Sequence, residues 1–321
     1  MTEGQVIALS GGVGGAKLVL GLSHVLPSDR LVVVTNTGDD FDHYGLRVCP
    51  DTDTVIYTLA DLADKVQGWG RMGETWSFMN ALRALGGEDW FNLGDGDLAL
   101  HVLRSSRLRE GASLTQVIRE VTRNLNIDIA ILPMCDQDVS TTVETTDGHL
   151  PFQQYFVREK CTPVVTGFRF DGIENAVPNS DLVSALGENP SAIILTPSNP
   201  YVSIDPILNV PGLREMLRDN KAPIIAVSPI IGGKAIKGPA AKMMAELGLE
   251  VSALEVARHY QGFIDALIID ETDASLVAAI ARLGMEVVVA QTVMNSLQDR
   301  IDLAKVTVDL ANRLMGEGGY D

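Results

Sequence analysis

Cysteine and long hydrophobic runs are scarce in this sequence. Cys49, Cys135 and Cys161 are the 3 cysteines among 321 residues, and no two of them form a C-x-x-C pair. This number and spacing argue against a disulfide framework and against a zinc site. No apolar run approaches the roughly 20 residues of a membrane span, and no export signal precedes the first apolar run. We therefore expect a protein of the reducing cytoplasm that has no membrane partner.

Positive charge is also scarce. The chain has 25 Lys and Arg against 42 Asp and Glu, which gives a formal net charge of −17. Affinity for nucleic acids comes largely from Lys and Arg, so this balance argues against a nucleic-acid partner. A small anionic ligand stays compatible with it, because a local basic patch or a metal ion can reverse the local field.

Short β-branched runs alternate with amphipathic segments along the chain, and this pattern predicts an α/β fold. We expect a Rossmann-like, mostly parallel sheet with helices on both faces. The predicted strands are Val6–Leu9, Leu31–Thr35, Ile127–Leu132, Ala192–Thr196, Ile224–Val227, Ala266–Ile269 and Val287–Ala290. The predicted helices are 15–25, 53–64, 75–85, 97–109, 114–125, 212–219, 239–248, 252–260, 273–283 and 299–315.

One stretch interrupts this alternation. Residues 140–157 form two extended runs around Asp147–Gly148, which is a type I′ hairpin signal, and a further extended run follows at 163–172. The pattern predicts a small β-containing lobe at 134–180, inserted into a Rossmann-like core that comprises residues 1–133 and 181–321.

A glycine-rich turn follows the first predicted strand. Backbone N–H groups of such a turn, at a helix N-terminus, can bind a phosphate. The turn matches no standard fingerprint, since Leu18 follows Lys17 in place of Ser or Thr, and Lys17 stands where the third glycine of a dinucleotide site belongs. This mismatch argues against a nicotinamide dehydrogenase. Glycines that serve only a tight strand–helix turn are the alternative. The candidate donor-binding residues here are Gly11, Gly12, Gly14, Gly15 and Lys17.

An acidic block lies about twenty residues further on. Carboxylates beside a phosphate repel it unless a divalent cation lies between them, so the block predicts a Mg²⁺ site. The predicted ligands are Asp39, Asp40, Asp51 and Asp53. The alternative is a solvated loop in which Asp53 caps the helix that follows.

Three further turns carry candidate ligand groups. His101 and Arg104 share one face of a predicted helix, where they either bind an anionic substrate or belong to an exposed, salt-bridged surface. Ser198–Asn199 could read a base or ribose, and Gly232, Gly233 and Lys234 could bind an anion, although each is also ordinary loop chemistry. The three tryptophans are either core or rim residues or a stacking surface for a flat substrate.

Taken together, these segments resemble a known family. SGGVGGAK, NTGDD with PDTDT, LGDGDLALH, SNPYVSIDPIL and SPIIGGKAIKGPA occur in this order in the 2-phospho-L-lactate transferases of deazaflavin coenzyme F420 biosynthesis. The resemblance spans essentially the whole chain.

The resemblance implies an activity. The expected donor is a guanosine diphosphate whose terminal phosphate carries lactate or enolpyruvate, and glycerate also stays open. The expected acceptor is 7,8-didemethyl-8-hydroxy-5-deazariboflavin (Fo), whose ribityl hydroxyl attacks the distal phosphorus, so that GMP leaves with the help of Mg²⁺. The family also suggests a homodimer. Carried onto this sequence, the resemblance implies Asp53 at the metal and Fo site and Asn92 near Fo. The residues themselves add His101 and Arg104 as expected contacts to Fo, and Asp53 and Asp51 are the expected catalytic residues.

A second function stays open at this point. A related family with a similar glycine turn consists of nucleotide-sugar-binding regulators of carbon metabolism and cell-wall synthesis, which bind without turnover. The PDTDT and LGDGDLALH segments favour the transferase over such a regulator.

Overall fold

The computed structural model describes residues 4–317 and has an α/β architecture. Its strands are β1 (Val6–Ser10), β2 (Leu31–Thr35), β3 (Phe41–His43), β4 (Leu46–Val48), β5 (Ala130–Pro133), β6 (Ser140–Thr145), β7 (Gly148–Pro151), β8 (Val165–Asp171), β9 (Ala192–Leu195), β10 (Ile224–Val227), β11 (Ile230–Ile231), β12 (Lys234–Ala235), β13 (Ala266–Asp270) and β14 (Glu286–Ala290).

The α-helices follow the strands in the alternation that the sequence predicts. They are α1 (Gly12–Val25), α2 (Pro50–Leu59), α3 (Ser77–Ala84), α4 (Asp95–Arg109), α5 (Leu114–Asn124), α6 (Ser180–Gly187), α7 (Asp205–Leu208), α8 (Leu213–Arg218), α9 (Ala240–Glu246), α10 (Ala253–His259), α11 (Val277–Ala281) and α12 (Leu297–Glu317). Short 3₁₀ turns occupy Ser28–Arg30, Ile173–Asn175 and Glu271–Leu276, and π-helical turns occupy Gln154–Arg158 and Pro200–Ile204.

The main sheet has 7 strands in the order β14-β13-β10-β9-β1-β2-β5. Every neighbouring pair is parallel, and β1 pairs with β2 through Val6 and Leu31 and with β9 through Val6 and Ala192. Strands β2 and β5 extend the sheet from β1 on one side, and strands β10, β13 and β14 extend it from β9 on the other. The boundary between β1 and β9 is therefore a topological switch point, where α/β proteins form ligand crevices at the carboxyl ends of the strands.

Both faces of this sheet are covered, which confirms the predicted Rossmann-like class. Because successive strand residues point to opposite faces, Ile7 and Leu9 belong to one core cluster, while Val6 and Ala8 belong to another. Side chains of α6, α8, α9 and α10 pack in the first cluster, and side chains of α1, α2, α5 and α12 pack in the second.

The predicted elements are present, with shifted ends. All the core strands occur, although β5 begins at Ala130 rather than at residue 127. Helix α2 begins at Pro50 and ends at Leu59, whereas the prediction was 53–64. The capping box of Ser113 and Gln116 is present at the start of α5.

The 134–180 segment contains the second sheet that the sequence predicts. Its strands β7, β6 and β8 are antiparallel neighbours. The type I′ prediction is wrong, because neither Thr146 nor Asp147 has a positive φ, and Gly148 takes φ +125° instead. The run after Pro151 is also a π-helical turn and not a strand.

The buried side chains of this lobe belong to the same core cluster as one face of the main sheet. The division into 1–133 with 181–321 and 134–180 stays a prediction, and residues 1–3 and 318–321 lie outside the described part of the chain. Across residues 4–317, no helix has both the length and the apolar character needed to cross a membrane.

Gly21 allows α1 and α12 to approach closely. A Cβ at this position would overlap the backbone carbonyl of Arg300 on α12. Alanine is intrinsically better than glycine in a helix by about 1 kcal/mol. We nevertheless expect Gly21→Ala to lower the free energy of unfolding by about 1–3 kcal/mol, because two packed backbones must move apart.

Urea denaturation would measure this change. Gly187→Ala is the matched control, because Gly187 is also helical and has no described atom within 4 Å of the added Cβ. An equal response of the two variants would contradict the close-approach explanation.

Candidate active site

The glycine turn follows β1 at the switch point. Gly11 is the N-cap of α1, and Gly12, with φ +63°, is the first helical residue. Cβ atoms on Gly14 and Gly15 would overlap the carbonyl oxygen of Pro197 and the hydroxyl of Ser198. The turn is therefore glycine-rich because it packs against the segment that follows β9, which supports the tight-turn alternative. The phosphate-binding role of this turn stays a prediction.

Asp51 joins this turn to the segment after β2. One carboxylate oxygen, Oδ1, accepts the N–H of Gly12 at 2.6 Å, and the other, Oδ2, accepts Asn36 Nδ2 at 3.0 Å. Burial raises the pKa of Asp51 to about 6. Asn36 also donates to the carbonyl of Val202 at 3.2 Å. Asn36 was not predicted from the sequence, although its place directly after a core strand was the available signal.

Asp39 and Asp40 are both buried, Asp39 near Asp51 and Asp40 near Asp53. The Oδ1 atom of each has no hydrogen-bond partner within the described chain. Burial, followed by the negative charge of Asp51, raises the pKa of Asp39 well above its ordinary value, and burial raises the pKa of Asp40 to about 8. A buried carboxylate oxygen without a partner is costly, so these two side chains fit a site that is completed by a bound cation.

The predicted metal ligands do not all converge. Within residues 4–317, no group of three or more His, Cys, Asp or Glu side chains is arranged to hold a metal ion by itself. Mg²⁺ is usually held by one or two protein carboxylates together with substrate phosphates. Asp39 and Asp40 are the side chains that could hold Mg²⁺ in this way, because one carboxylate oxygen of each has no hydrogen-bond partner within the described chain, whereas both oxygens of Asp51 and of Asp53 are engaged.

Asp53 forms a buried ion pair with Arg104. The guanidinium Nη1 lies 3.1 Å from Asp53 Oδ2, and Nη2 contacts Oδ1. Arg104 is 1% exposed and Asp53 is 5% exposed, so the exposed-surface explanation for this face of α4 is wrong. The capping explanation for Asp53 is also wrong, because α2 begins at Pro50.

His101 extends this ion pair into a buried polar network. Its Nδ1 lies 3.3 Å from Arg104 Nη1, and its Nε2 lies 3.2 Å from Asp97 Oδ2. The hydroxyl of Tyr57 donates to Asp97 Oδ1 at 2.6 Å. Arg104 and His101 are therefore bound to each other and to acids of the chain, and a direct contact of either with a substrate stays a prediction.

An aromatic cluster of Phe41, His43, Trp90 and Phe91 lies next to this network. The ring centroids are 4.9 Å apart for Phe41 and Phe91 and 5.3 Å apart for His43 and Trp90. Burial lowers the pKa of His43, and His101 of the polar network lies near it.

Asn92 directly follows the aromatic cluster in sequence. It is exposed, and its Oδ1 accepts Arg83 Nη2 at 3.2 Å. Of this aromatic cluster, only the tryptophan was considered from the sequence as part of a stacking surface.

Ser198 and Asn199 are engaged by the chain itself. The hydroxyl of Ser198 accepts the N–H of Gly11 at 3.1 Å. Asn199 Oδ1 accepts the N–H of Tyr201 at 3.0 Å and so caps the π-helical turn that follows. Both side chains therefore bind backbone N–H groups of the chain, and a contact of either with guanosine stays a prediction.

Gly232 and Gly233 form the turn between β11 and β12. Both have positive φ, +55° and +72°, as a two-residue type I′ turn requires. Asp273 accepts the N–H of Gly232 at 3.0 Å, and Lys234 is exposed. Asp273 was not predicted from the sequence, because it lies in a different segment and contacts this turn only in the folded chain.

Lys17 lies apart from the carboxylates. Its Nζ donates to the carbonyl of Met294, after β14, at 2.8 Å. Burial, followed by the positive charges of Arg300 and Lys237, lowers the pKa of Lys17. The structure therefore brings the glycine turn and the acidic block together, and it places Lys17 in a separate basic cluster.

Comparison with known proteins bears on what such a crevice does. Residues 6–306 match the family profile described as 2-phospho-L-lactate transferase CofD. The chain is 39% identical over 310 residues to a 2-phospho-L-lactate transferase of Methanosarcina barkeri, covering 97% of this chain and 99% of that protein. It is 39% identical over 317 residues to a phosphoenolpyruvate transferase of Kitasatospora aureofaciens, covering 97% and 98% respectively.

A solved structure shows the same fold. A UPF0052-family protein of Bacillus halodurans superposes with a TM-score of 0.61 at 16% sequence identity, covering 96% of this chain and 99% of that one. At this identity the likeness concerns the fold.

Proposed function

The chain belongs to the 2-phospho-L-lactate transferase family, and from this premise we propose that it moves a phosphorylated C3 acid from a guanosine diphosphate carrier to the deazaflavin Fo. The reaction is a transfer of a substituted phosphate group in the biosynthesis of coenzyme F420. GMP is the second product. We expect a homodimer, as the family suggests.

The observation that carries this proposal is the buried acid crevice at the switch point. Asp39 and Asp40 each present one carboxylate oxygen without a partner in the described chain, and Asp39 lies near Asp51, which in turn binds Gly12 of the glycine turn. A diphosphate donor brings the negative charge that makes a shared Mg²⁺ favourable at such a place. Unpartnered buried carboxylate oxygens destabilise the fold, and a neutral ligand would not offset that cost.

The proposed chemistry is one direct displacement at phosphorus. The ribityl hydroxyl oxygen of Fo forms a bond to the distal phosphorus, the bond from that phosphorus to the bridging oxygen breaks, and GMP leaves with the electron pair. Such a reaction depends mainly on positioning and charge neutralisation. Mg²⁺, held by Asp39 and Asp40, would supply charge neutralisation for the two phosphates.

Of the two predicted catalytic aspartates, we assign the hydroxyl proton to Asp51, because its carboxylate accepts only neutral N–H donors whereas Asp53 is paired with the charged Arg104. A pKa of about 6 makes Asp51 a stronger base than an ordinary aspartate. Asp53 is occupied by Arg104, and its carboxylate therefore fixes the guanidinium and His101 in place. In this assignment Asp53 orients the acceptor side of the crevice, and Asp51 takes the proton late in the transfer.

The direct test is incubation with Fo, Mg²⁺ and guanosine diphosphate carrying lactate, enolpyruvate or glycerate. Mass spectrometry of the deazaflavin and quantification of GMP report transfer, and comparison of the three donors identifies the acid. Binding of a nucleotide without GMP release would instead favour a non-catalytic, nucleotide-sugar-binding regulator.

The aromatic cluster supplies a surface for the flat ring system of Fo. Trp90 is half-buried among Phe41, His43 and Phe91, next to Asn92. Ring stacking on an aromatic side chain contributes about 1–3 kcal/mol. We therefore expect Trp90→Ala to weaken Fo binding about tenfold and to leave GDP binding unchanged.

Quenching of Fo fluorescence on binding would measure this effect. Trp69→Ala is the matched control, because Trp69 is half-exposed and lies outside the cluster. Unchanged Fo affinity in Trp90→Ala would place the acceptor ring elsewhere.

A further inference from the structure

Arg300 is held close to Lys17 by the packing of α12 on α1. Lys17 and Gly21 are four residues apart and so share one face of α1. The absence of a side chain at Gly21 lets the backbone of Arg300 approach this face. The Nε atom of Arg300 is buried and has no hydrogen-bond partner within the described chain.

Lys237 brings a third positive charge to the same place. It is an exposed residue after β12, and its Nζ donates to the carbonyl of Gly68 at 3.1 Å, in the segment between α2 and α3. Its charge and that of Arg300 both act on Lys17. The three side chains converge from α1, from the segment after β12 and from α12, three separate parts of the chain.

Among the described residues, no carboxylate forms an ion pair with these three cations. Lys17 and Lys237 donate to backbone carbonyls. Asp299 attracts the positive charge of the neighbouring Arg300, but its carboxylate accepts the N–H groups of Asn295 and Ser296 and forms no ion pair with the guanidinium. Converging cations in a chain of net charge −17 are unfavourable unless an anion offsets their repulsion, and the buried Nε is a donor that such an anion would satisfy.

We propose that Arg300 and Lys237, together with Lys17, bind the nucleoside-proximal phosphate of the donor, the phosphate that leaves with GMP. This inference rests on the proposed function and extends it by naming positioning residues at the nucleotide end of the crevice. The ligand class is a phosphate monoester or a diphosphate.

The strand order explains why the cluster takes the leaving phosphate. The acid crevice and Asn92 lie on segments that follow β1 and β2, where the acceptor and the transferred phosphorus must meet. The basic cluster combines α1 with segments that follow β12 and β14, on the β10–β14 half of the sheet. A diphosphate that spans the switch point places its transferred phosphate at the acidic end and its leaving phosphate at the basic end.

The charge that develops during the reaction also favours a position of the leaving phosphate at the basic cluster. Negative charge builds up on the leaving phosphate as its bond to the transferred phosphorus breaks, and a fixed guanidinium stabilises that charge. A guanidinium also binds phosphate through two N–H groups, which fixes its orientation. Arg300 is therefore expected to act on kcat as well as on donor affinity.

The test is calorimetric binding of GDP, pyrophosphate, guanosine and Fo, each with Mg²⁺, to the full chain and its variants. We expect Arg300→Ala to weaken GDP and pyrophosphate binding about tenfold or more, and Lys237→Ala to weaken both several-fold. Guanosine and Fo affinities should stay unchanged. In the transfer reaction, Arg300→Ala should lower kcat as well as raise the donor KM, and Arg300→Lys should recover part of both.

Arg313→Ala is the matched control, because Arg313 lies on the same helix and forms an ion pair with Glu286. It should bind all four ligands as the unchanged protein does. Lys237→Ala keeps the test informative if Arg300→Ala fails to fold, because the Lys237 side chain is exposed.

Three outcomes are decisive. GDP binding that is the same in Arg300→Ala, Lys237→Ala and the unchanged protein overturns the phosphate subsite and leaves the proposed function standing. Pyrophosphate binding that depends on Arg300, without any binding of GDP, supports the anion subsite and contradicts the guanosine donor. Absence of binding for both probes in the unchanged protein overturns both proposals.

Discussion

Replacing Arg104 with leucine is expected to lower the free energy of unfolding by about 3–5 kcal/mol. The substitution leaves the Asp53 carboxylate buried without its counter-charge, in a place where both side chains are almost fully enclosed. A loss of this size is a large part of the total stability of an ordinary domain. Transferase activity should fall at least a hundredfold, because His101 and the acceptor side of the crevice lose their support. Urea denaturation and GMP release measure the two effects.

The double variant Arg104→Leu with Asp53→Leu separates structure from function. Replacing a buried ion pair by apolar side chains is often neutral or stabilising, so we expect the stability to return while activity stays lost. Recovery of activity in the double variant would show that Asp53 has no role in the reaction. Arg107→Leu is the control on the same helix, since its pairs with Glu110 and Glu120 lie at the surface, where solvent screens them and they contribute little to stability.

The second large effect concerns Asp39 and Asp40. In metal-free buffer, Asp39→Asn or Asp40→Asn is expected to raise the free energy of unfolding by about 1–3 kcal/mol, because a buried carboxyl must either stay ionised or take up a proton on folding, and the amide avoids both costs. The same substitutions should reduce Mg²⁺-dependent transfer at least a hundredfold. A variant that is more stable and inactive identifies a carboxylate that is kept for its function and not for the fold.

Metal removal gives the complementary measurement. EDTA should abolish transfer, excess Mg²⁺ should restore it, and Ca²⁺, with its looser geometry, should restore less. Asp42→Asn is the control within the same acidic block, because Asp42 is exposed and pairs with Arg47. Release of GMP at an unchanged rate in EDTA would contradict the shared-metal explanation of the crevice.

The fold was largely predictable from the sequence, because its signals are local. Each core strand is a short apolar run, and a parallel sheet buries such runs on both faces. The hairpin was correctly located around Asp147–Gly148, but its turn type was wrong, because Gly148 has a positive φ and the two residues before it do not.

The site was only partly predictable, because the residues that contact one another in it are distant in the sequence. The pattern identified Asp53 and Arg104 as candidates, but it did not indicate that they bind each other. The same applies to Asp51 with Gly12 and to Gly232 with Asp273. In each case the predicted ligand group is engaged by a residue that meets it only in the folded chain. The basic cluster around Arg300 was missed for the same reason.

The central position of β1 has a consequence for synthesis of this protein on the ribosome. One edge of β1 pairs with β2, which follows it closely, but the other edge pairs with β9, whose first partner is Ala192. At typical elongation rates of about 5–20 residues per second, β9 is synthesised on the order of ten seconds after β1. During this interval that edge of β1 has no partner strand. Throughout this interval an apolar strand edge from the middle of the future sheet is open to other nascent chains. We therefore expect the yield of folded protein to depend on chaperones that shield the first half of the chain until β9 emerges.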